Sequence, residues 1–225
     1  MGRRMAAVGV VLMVLAVGAG CAGSPQVRSI SGPPGLEGDA YYLSECAMCW
    51  GMLGGKGDTV DREVEGRDVR FCCARCADEF ESRRTFGAVD RRMAEDQRPL
   101  YPLRVSVVSG KALGRSRVEV ILGNRLFVLA EESEVAALER EAPRCFRLLD
   151  EAVIEAQSPG YGMKTKCPVQ GDILESDTPI DIVIANRMIR LCCYRCVRVV
   201  RARPSQYLGM VDYANRAARG GIDSE

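Results

Sequence analysis

The pattern of apolar and polar positions repeats three times along the chain. In each copy an apolar strand leads into a turn rich in Gly or Asn, an Arg follows, and a second apolar strand begins. The three segments span 64–71, 120–127 and 184–191. Gly and Asn tolerate the positive φ angles that tight turns demand, so each segment predicts a β-hairpin.

Helical stretches follow the hairpins, and two prolines divide them. Pro143 and Pro204 each end one helix and open another, because proline fits the first helical turn but not the interior. The second helices are predicted at 85–95, 144–156 and 205–218, and each carries an aspartate at a comparable place: Asp90, Asp150 and Asp212.

Pro- and Gly-containing linkers at 98–102 and 158–162 divide the repeats into modules at 41–97, 98–157 and 158–219. The predicted fold class is α+β, with three small modules that each contain a cysteine loop, a β-hairpin and two short helices. About 55 residues is marginal for an independent core, so a bound metal would add stability that such a module needs.

The N-terminal segment is typical of a targeting signal. Arg3 and Arg4 precede an apolar run, 6–17, that is too short for a permanent membrane span, and small residues then lead to Cys21. This arrangement resembles a bacterial lipobox, which implies a signal peptide at 1–20, lipidation of Cys21, and a lipid anchor in the bacterial cell envelope, with the chain facing the periplasm or the exterior. The alternative is an ordinary secretory signal with a chance cysteine. The Gly-, Ser- and Pro-rich stretch 21–40 predicts a flexible tether.

Composition removes several classes of function. The chain has 31 Lys and Arg against 30 Asp and Glu, so no basic excess favours a nucleic-acid partner. It contains no histidine, which excludes Ser–His–Asp and Cys–His nucleophiles and imidazole ligands to a metal. The acidic residues form no recognisable pair, and we therefore expect no enzyme. The 11 cysteines either form disulfides or ligate a metal.

The first module carries five candidate metal ligands. Cys46 and Cys49 form a CxxC turn, which points two sulfurs the same way, and a second pair comes from the end of the hairpin and the start of a helix. That second region offers Cys72, Cys73 and Cys76 for two places. Cys73 with Cys76 has the spacing of a treble-clef zinc site, whereas Cys72 with Cys76 leaves a three-residue gap, and the sequence leaves this choice open.

The third module keeps fewer ligands, and the sequence predicts that the second has lost its site. Cys167, Cys192, Cys193 and Cys196 are present, but Gln170 stands in the place of Cys49. Three thiolates suit trigonal Cu(I), or a zinc site with an open position. In the second module Ser106 stands near the place of the first cysteine and 128–130 replaces the cysteine run. Its Cys145 is predicted to be a small buried hydrophobe, and the module a spacer or a partner-binding face.

These cysteines resemble the YHS and TRASH families of small metal-binding modules. The TRASH pattern of a cysteine, some twenty residues and then Cys-x3-Cys is matched by Cys49, Cys72 and Cys76, and in a slightly longer form by Cys167, Cys192 and Cys196. The segments 46–52 and 167–171 are similar to the families' Cys-Pro-x-Cys-Gly-Met and Cys-Pro-Val-Met-Gly openings. The resemblance implies a treble-clef-like fold that binds copper, zinc or a similar ion.

Three functions follow as hypotheses. The first is an envelope lipoprotein that binds copper or zinc for metal capture, trafficking or tolerance. The second is a zinc-stabilised scaffold that binds another envelope protein. The third is a thiol–disulfide redox protein, with inert structural disulfides as a variant.

Overall fold

The computed structural model describes residues 27–54, 59–84, 86–171, 173–174 and 179–220, and mixes short strands with helices. Its strands are β1 (Val27–Ile30), β2 (Val60–Val64), β3 (Arg67–Phe71), β4 (Val118–Leu122), β5 (Arg125–Leu129), β6 (Ile180–Ile184) and β7 (Arg187–Leu191). Its α-helices are α1 (Ala74–Arg83), α2 (Gly87–Gln97), α3 (Val135–Arg140), α4 (Ala142–Gln157), α5 (Tyr194–Ala202) and α6 (Pro204–Ala218). Short 3-10 helices lie at Arg98–Leu100, Glu132–Glu134 and Ser158–Gly160. The α+β prediction is confirmed.

Each module contains one antiparallel hairpin, as the sequence predicts. The pairs are β2–β3, β4–β5 and β6–β7, and every strand in them has five residues. Both turn residues have positive φ in all three hairpins, as tight two-residue turns require. They are Glu65 and Gly66, Gly123 and Asn124, and Ala185 and Asn186.

The two prolines mark helix boundaries where the sequence places them. Pro143 lies in the first turn of α4, and Pro204 is the first residue of α6. The buried residues of α4 include Cys145, Leu149 and Val153, spaced four apart, so one face of this helix packs into the core.

The tether predicted at 21–40 is wrong from Val27 onward. β1 pairs in parallel with β4, from Val27 opposite Glu119 to Ile30 opposite Leu122, and extends the second hairpin to three strands. Further along, Gly38 packs so closely on the second hairpin turn that an added Cβ would lie 2.6 Å from the Cα of Gly123. This pairing joins residues about 90 apart in the chain, so no local pattern signals it. Residues 21–26, with Cys21, and the signal segment at 1–20 lie outside the described residues.

A buried ion pair joins this N-terminal segment to the second module. Arg125 is 1% exposed, and its Nε and Nη2 each donate to the Asp39 carboxylate at 2.6 Å. Its Nη1 donates to Asp150 on α4 at 2.7 Å, and Nη2 also reaches the carbonyl oxygen of Val183 in the third module at 2.8 Å. Burial alone would lower the pKa of Arg125, but the two carboxylates outweigh it and raise that pKa, so the guanidinium stays charged.

The same ion pair between hairpin and second helix recurs in the other two modules. Arg67 contacts Asp90 at 2.7 Å, and Arg187 contacts Asp212 at 3.0 Å. In each case the arginine directly follows the hairpin turn and the aspartate lies on the second helix. The three aspartates that the sequence places comparably therefore share one role, which is to hold the second helix against its hairpin.

A glutamine at the end of each of α2 and α4 fastens its module to the next one. The side-chain amide of Gln97, at the end of α2, accepts from the N–H of Leu126 at 2.8 Å and donates to the carbonyl of Asn124 at 2.9 Å. Gln157, at the end of α4, makes the equivalent pair of bonds to the third hairpin at 3.0 and 2.8 Å. The hairpin turns therefore meet near one another, and the cysteines lie at the opposite ends of the first and third hairpins.

No helix in the described part of the chain is both long and apolar enough to cross a membrane.

Replacing Asp39 tests whether the N-terminal segment is part of the folded core. We expect Asp39→Ala to lower the free energy of unfolding by about 3–5 kcal/mol, because it leaves the buried charge of Arg125 under-compensated. Asp61→Ala is the control, since Asp61 pairs with Arg70 but is 61% exposed, and should cost about 0–1 kcal/mol. Urea denaturation measures both, and equal effects would contradict the assignment.

Candidate metal centres

The CxxC turn of the first module folds into a tight loop that presents two sulfurs. The N–H of Cys46 donates to the carbonyl of Gly51 at 2.8 Å, and the N–H of Trp50 donates back to the carbonyl of Cys46 at 3.0 Å. Trp50 has φ 60°, which closes the loop, and an isolated bridge between Glu45 and Met52 holds its two ends together. We call such a loop a knuckle.

The hairpin and the following helix supply the other two sulfurs of this cluster. Cys72 directly follows β3, and Cys76 lies in the first turn of α1. The sulfur atoms of Cys46, Cys49, Cys72 and Cys76 all lie within 4.8 Å of one another. Cys49 and Cys72 are 3.5 Å apart, and Cys72 and Cys76 are 3.7 Å apart. A tetrahedral ion with metal–sulfur bonds near 2.3 Å would place its sulfurs about 3.8 Å apart. This group, which we call cluster 1, could hold one metal ion.

Cys73 lies outside cluster 1. Its sulfur is 4.0 Å from that of Cys72, and the residue is the exposed N-cap of α1. The structure therefore brings together the pair with a three-residue gap, Cys72 and Cys76, and leaves out the pair with the two-residue gap. The cause is local: consecutive side chains at the end of an extended strand point in different directions.

The thiols of the first module differ in proton affinity. The backbone N–H of Gly51 lowers the pKa of Cys49, while the hydrogen bond with Cys49 raises the pKa of Cys72 to about 11. Burial raises the pKa of Cys76, and its backbone N–H lowers the pKa of the neighbouring Cys73. Because thiolates and not thiols ligate metals, a bound ion would displace the protons that these sulfurs share.

The third module gathers three sulfurs in the same way. Cys167, Cys192 and Cys196 lie within 4.8 Å of one another, with 3.6 Å between the last two, and we call them cluster 3. Cys193 lies outside this group, although its sulfur is 3.5 Å from that of Cys196. The side-chain oxygen of Gln170 is 3.6 Å from the sulfur of Cys192. Cluster 3 could also hold one metal ion.

A hydrogen-bonded carboxylate takes the corresponding place in the second module. Ser106 and Ser109 stand at the places of Cys46 and Cys49 in the first knuckle, and both hydroxyls donate to Glu134, the first at 2.6 Å. The backbone N–H of Ala130 donates to the same carboxylate at 3.0 Å. Burial raises the pKa of Glu134, but these three donors outweigh it and hold the pKa below its usual value.

The expectation that 128–130 replaces the cysteine run of the second module is wrong by two residues. β3, β5 and β7 end at Phe71, Leu129 and Leu191, so Ala130 matches Cys72 and Glu134 matches Cys76. The arginine after each turn gives the same alignment, and it is the sequence signal that would have identified Glu134. Aligning the modules by their apolar runs, and not by this arginine, displaces the second module by two residues.

The remaining cysteines lie apart from the two clusters. Cys145 is fully buried on α4, as predicted, and burial raises its pKa. All ten cysteines of the described residues are free thiols, and Cys21 lies outside them.

No protein-family model, curated protein or solved structure matches this chain.

Glu134 should contribute stability that depends on pH. Its folded pKa lies below the unfolded value, so its contribution is complete above about pH 4.5 and is lost as the pH falls through the folded pKa. We expect Glu134→Gln to lower the free energy of unfolding by about 1–3 kcal/mol at neutral pH, with the difference from the parent protein shrinking in acid.

Glu132→Gln is the control for this variant, because Glu132 pairs with Arg28 at the surface and both side chains are about half exposed. Denaturation between pH 2 and 7 measures the effect. If Glu134→Gln lowers the free energy of unfolding equally at both ends of this range, the carboxylate charge is not what stabilises the second module.

Proposed function

We propose that the chain is an envelope lipoprotein that binds a soft or borderline metal ion, copper or zinc, for capture, trafficking or tolerance. The observation that carries this proposal is cluster 1. Four thiols from a knuckle, a strand end and a helix start converge with the sulfur separations of a tetrahedral thiolate centre. The second observation is that cluster 3 repeats this construction with three thiols.

The donor set limits the metal. Thiolate sulfur selects Zn²⁺, Cu(I) and similar ions over Mg²⁺ and Ca²⁺, which prefer oxygen. The chain has no histidine, so the imidazole sites common for Cu²⁺ and Ni²⁺ have no ligands here. We assign binding and no catalytic chemistry to these centres.

The arrangement also supports the resemblance to the YHS and TRASH modules. A knuckle, a hairpin and a helix start contribute ligands in that order, which is the order of a treble-clef-like module. The cysteines gathered after each hairpin are those of the Cys-x3-Cys pattern, Cys72 with Cys76 and Cys192 with Cys196. We therefore propose that the first and third modules are members of this class, and that the second keeps its fold with Glu134 in place of the ion.

The two centres act separately. Each cluster lies at the end of its own hairpin that is remote from the turn, and a five-residue strand spans about 17 Å. No cysteine belongs to both clusters, and the chain would carry up to two ions.

The second candidate is a zinc-stabilised scaffold for another envelope protein, and the second module favours it. There, Glu134 cross-links the knuckle to the start of the following helix with no ion. A cross-link at this place therefore has structural value by itself, and zinc in cluster 1 would serve the same purpose.

Metal content and exchange separate the two functions. The full chain would be purified without oxygen or chelator, its zinc and copper measured, and a competing chelator added. Ions that exchange while the fold persists by circular dichroism support capture or trafficking. Zinc that leaves only as the protein unfolds supports the scaffold. Metal-free protein with most thiols oxidised would refute both and leave disulfide chemistry.

Single cysteine replacements locate the ions. We expect Cys76→Ser and Cys196→Ser each to remove one ion per chain, because each takes a sulfur from one cluster, whereas Cys145→Ser should keep both. Elemental analysis of the purified variants measures this. Loss of metal from the Cys145 variant, or full metal content in the other two, would contradict the assignment of the clusters.

Replacing Cys21 tests the anchor. Cys21→Ser should move the chain from the membrane fraction to the soluble fraction and abolish incorporation of a labelled fatty acid, because the thiol is the acceptor of the lipid. Cys145→Ser, the same substitution in the folded core, should leave both properties unchanged. A Cys21 variant that still carries the label would refute the lipoprotein proposal but not the metal-binding proposal.

A further inference from the structure

We infer that the side-chain amide oxygen of Gln170 is the fourth ligand of cluster 3, which makes this centre the exchangeable one of the two. The inference rests on the proposed metal binding and names the residue that completes the second site. It concerns a tetrahedral divalent ion such as Zn²⁺, held by three thiolates and one neutral oxygen.

The backbone places Gln170 where the first module has a ligand. All three knuckles close through an N–H that donates to the carbonyl of the residue four positions earlier: Trp50 to Cys46 at 3.0 Å, Gly110 to Ser106 at 2.8 Å, and Gly171 to Cys167 at 2.8 Å. The donor residue has a positive φ each time, at 60°, 73° and 74°. The residue before the donor therefore occupies the same place in every loop, and it is Cys49, Ser109 or Gln170.

The side chain at this place turns toward the cluster in every module. Cys49 lies 3.5 Å from the sulfur of Cys72, and Ser109 donates to Glu134. The oxygen of Gln170 lies 3.6 Å from the sulfur of Cys192. A tetrahedral centre with metal–sulfur bonds near 2.3 Å and a metal–oxygen bond near 2.1 Å separates its sulfur and oxygen by about 3.6 Å. Toward Cys192, Gln170 thus has the separation that a fourth ligand needs.

The chemistry of the amide makes this ligand the labile one. Binding of a divalent ion releases one proton from each of three thiols, and the amide oxygen releases none. Cluster 3 with its ion would then carry a net charge of about −1, against about −2 for the four thiolates of cluster 1. Gln170 is exposed, as Cys49 is, so this is the vertex that incoming ligands reach first. An incoming thiol would displace a neutral amide there more readily than a thiolate.

Reciprocal substitutions at this vertex test the inference. The full chain would be loaded with Co²⁺, whose absorption bands report the number of thiolate ligands, and Zn²⁺ release to a chelator would be followed in parallel. We expect two phases of zinc release from the parent protein. Gln170→Cys should remove the fast phase, and Cys49→Gln should make the slow phase fast. Each variant takes the residue that the other module already accommodates, so both should fold.

Gln170→Ala identifies the oxygen, with Cys145→Ser as its control. The Ala variant should shift the Co²⁺ bands of cluster 3 and weaken its zinc affinity about ten-fold or more, a loss that even outer-shell changes produce. The control should change neither, because Cys145 is buried on α4 and belongs to neither cluster. Unchanged bands and release in Gln170→Ala would overturn the inference while leaving metal binding intact. Failure of both clusters to bind Co²⁺ or Zn²⁺ would instead refute the proposed function.

Discussion

The guanidinium of Arg125 is the group on which the arrangement of the three modules depends. It is almost completely buried, and its donors reach Asp39 before the first module, Asp150 within its own module and a carbonyl of the third. The Asp39 carboxylate also accepts from the backbone N–H of Ala185 in the third hairpin turn, at 2.7 Å. A buried charge tolerates few alternative positions, because each displaced donor would lose its partner without gaining water. The pair therefore selects one packing of the modules over other apolar packings.

The position of this junction also fixes where the cysteines lie. The hairpin turns converge on Asn124 and Arg125. The side-chain oxygen of Asn124 accepts from Arg67 of the first hairpin at 3.1 Å. Cys72 and Cys192 lie at the other ends of the hairpins, directly after β3 and β7, and both are partly buried. An ion held there, as proposed above, would be reached by solvent through these partly buried sulfurs, because Cys46 and Cys167 in the knuckles are buried.

Local chemistry made some of this predictable. Gly and Asn in the turns predicted the hairpins. The prolines predicted the starts of α4 and α6, and the CxxC spacing predicted a loop that presents two sulfurs. The features that the sequence did not predict depend on residues far away in the chain. β1 gains its place from β4, some 90 residues away, and Asp39 looks like one more polar residue of a Gly- and Pro-rich stretch. The choice of Cys72 over Cys73 depends on which way the last strand residue faces, which spacing alone does not encode. Glu134 was visible in principle, since aligning the arginines after the turns places it beside Cys76 and Cys196.

The three modules use different means to hold the same two segments together. A knuckle has to be fastened to the start of a helix, where backbone N–H groups favour negative charge. In the second module a single carboxylate suffices, because it is attached to the helix and accepts from two serines and one backbone amide. The thiols of cluster 1 share protons at separations of 3.5 to 3.7 Å, but the same sulfurs would repel one another as thiolates. With sulfur in place of these oxygens, a fully deprotonated cluster would need a cation for charge balance. Under the proposed function, cysteine in place of serine and glutamate at this corner would turn a cross-link that needs no ion into one that depends on a metal.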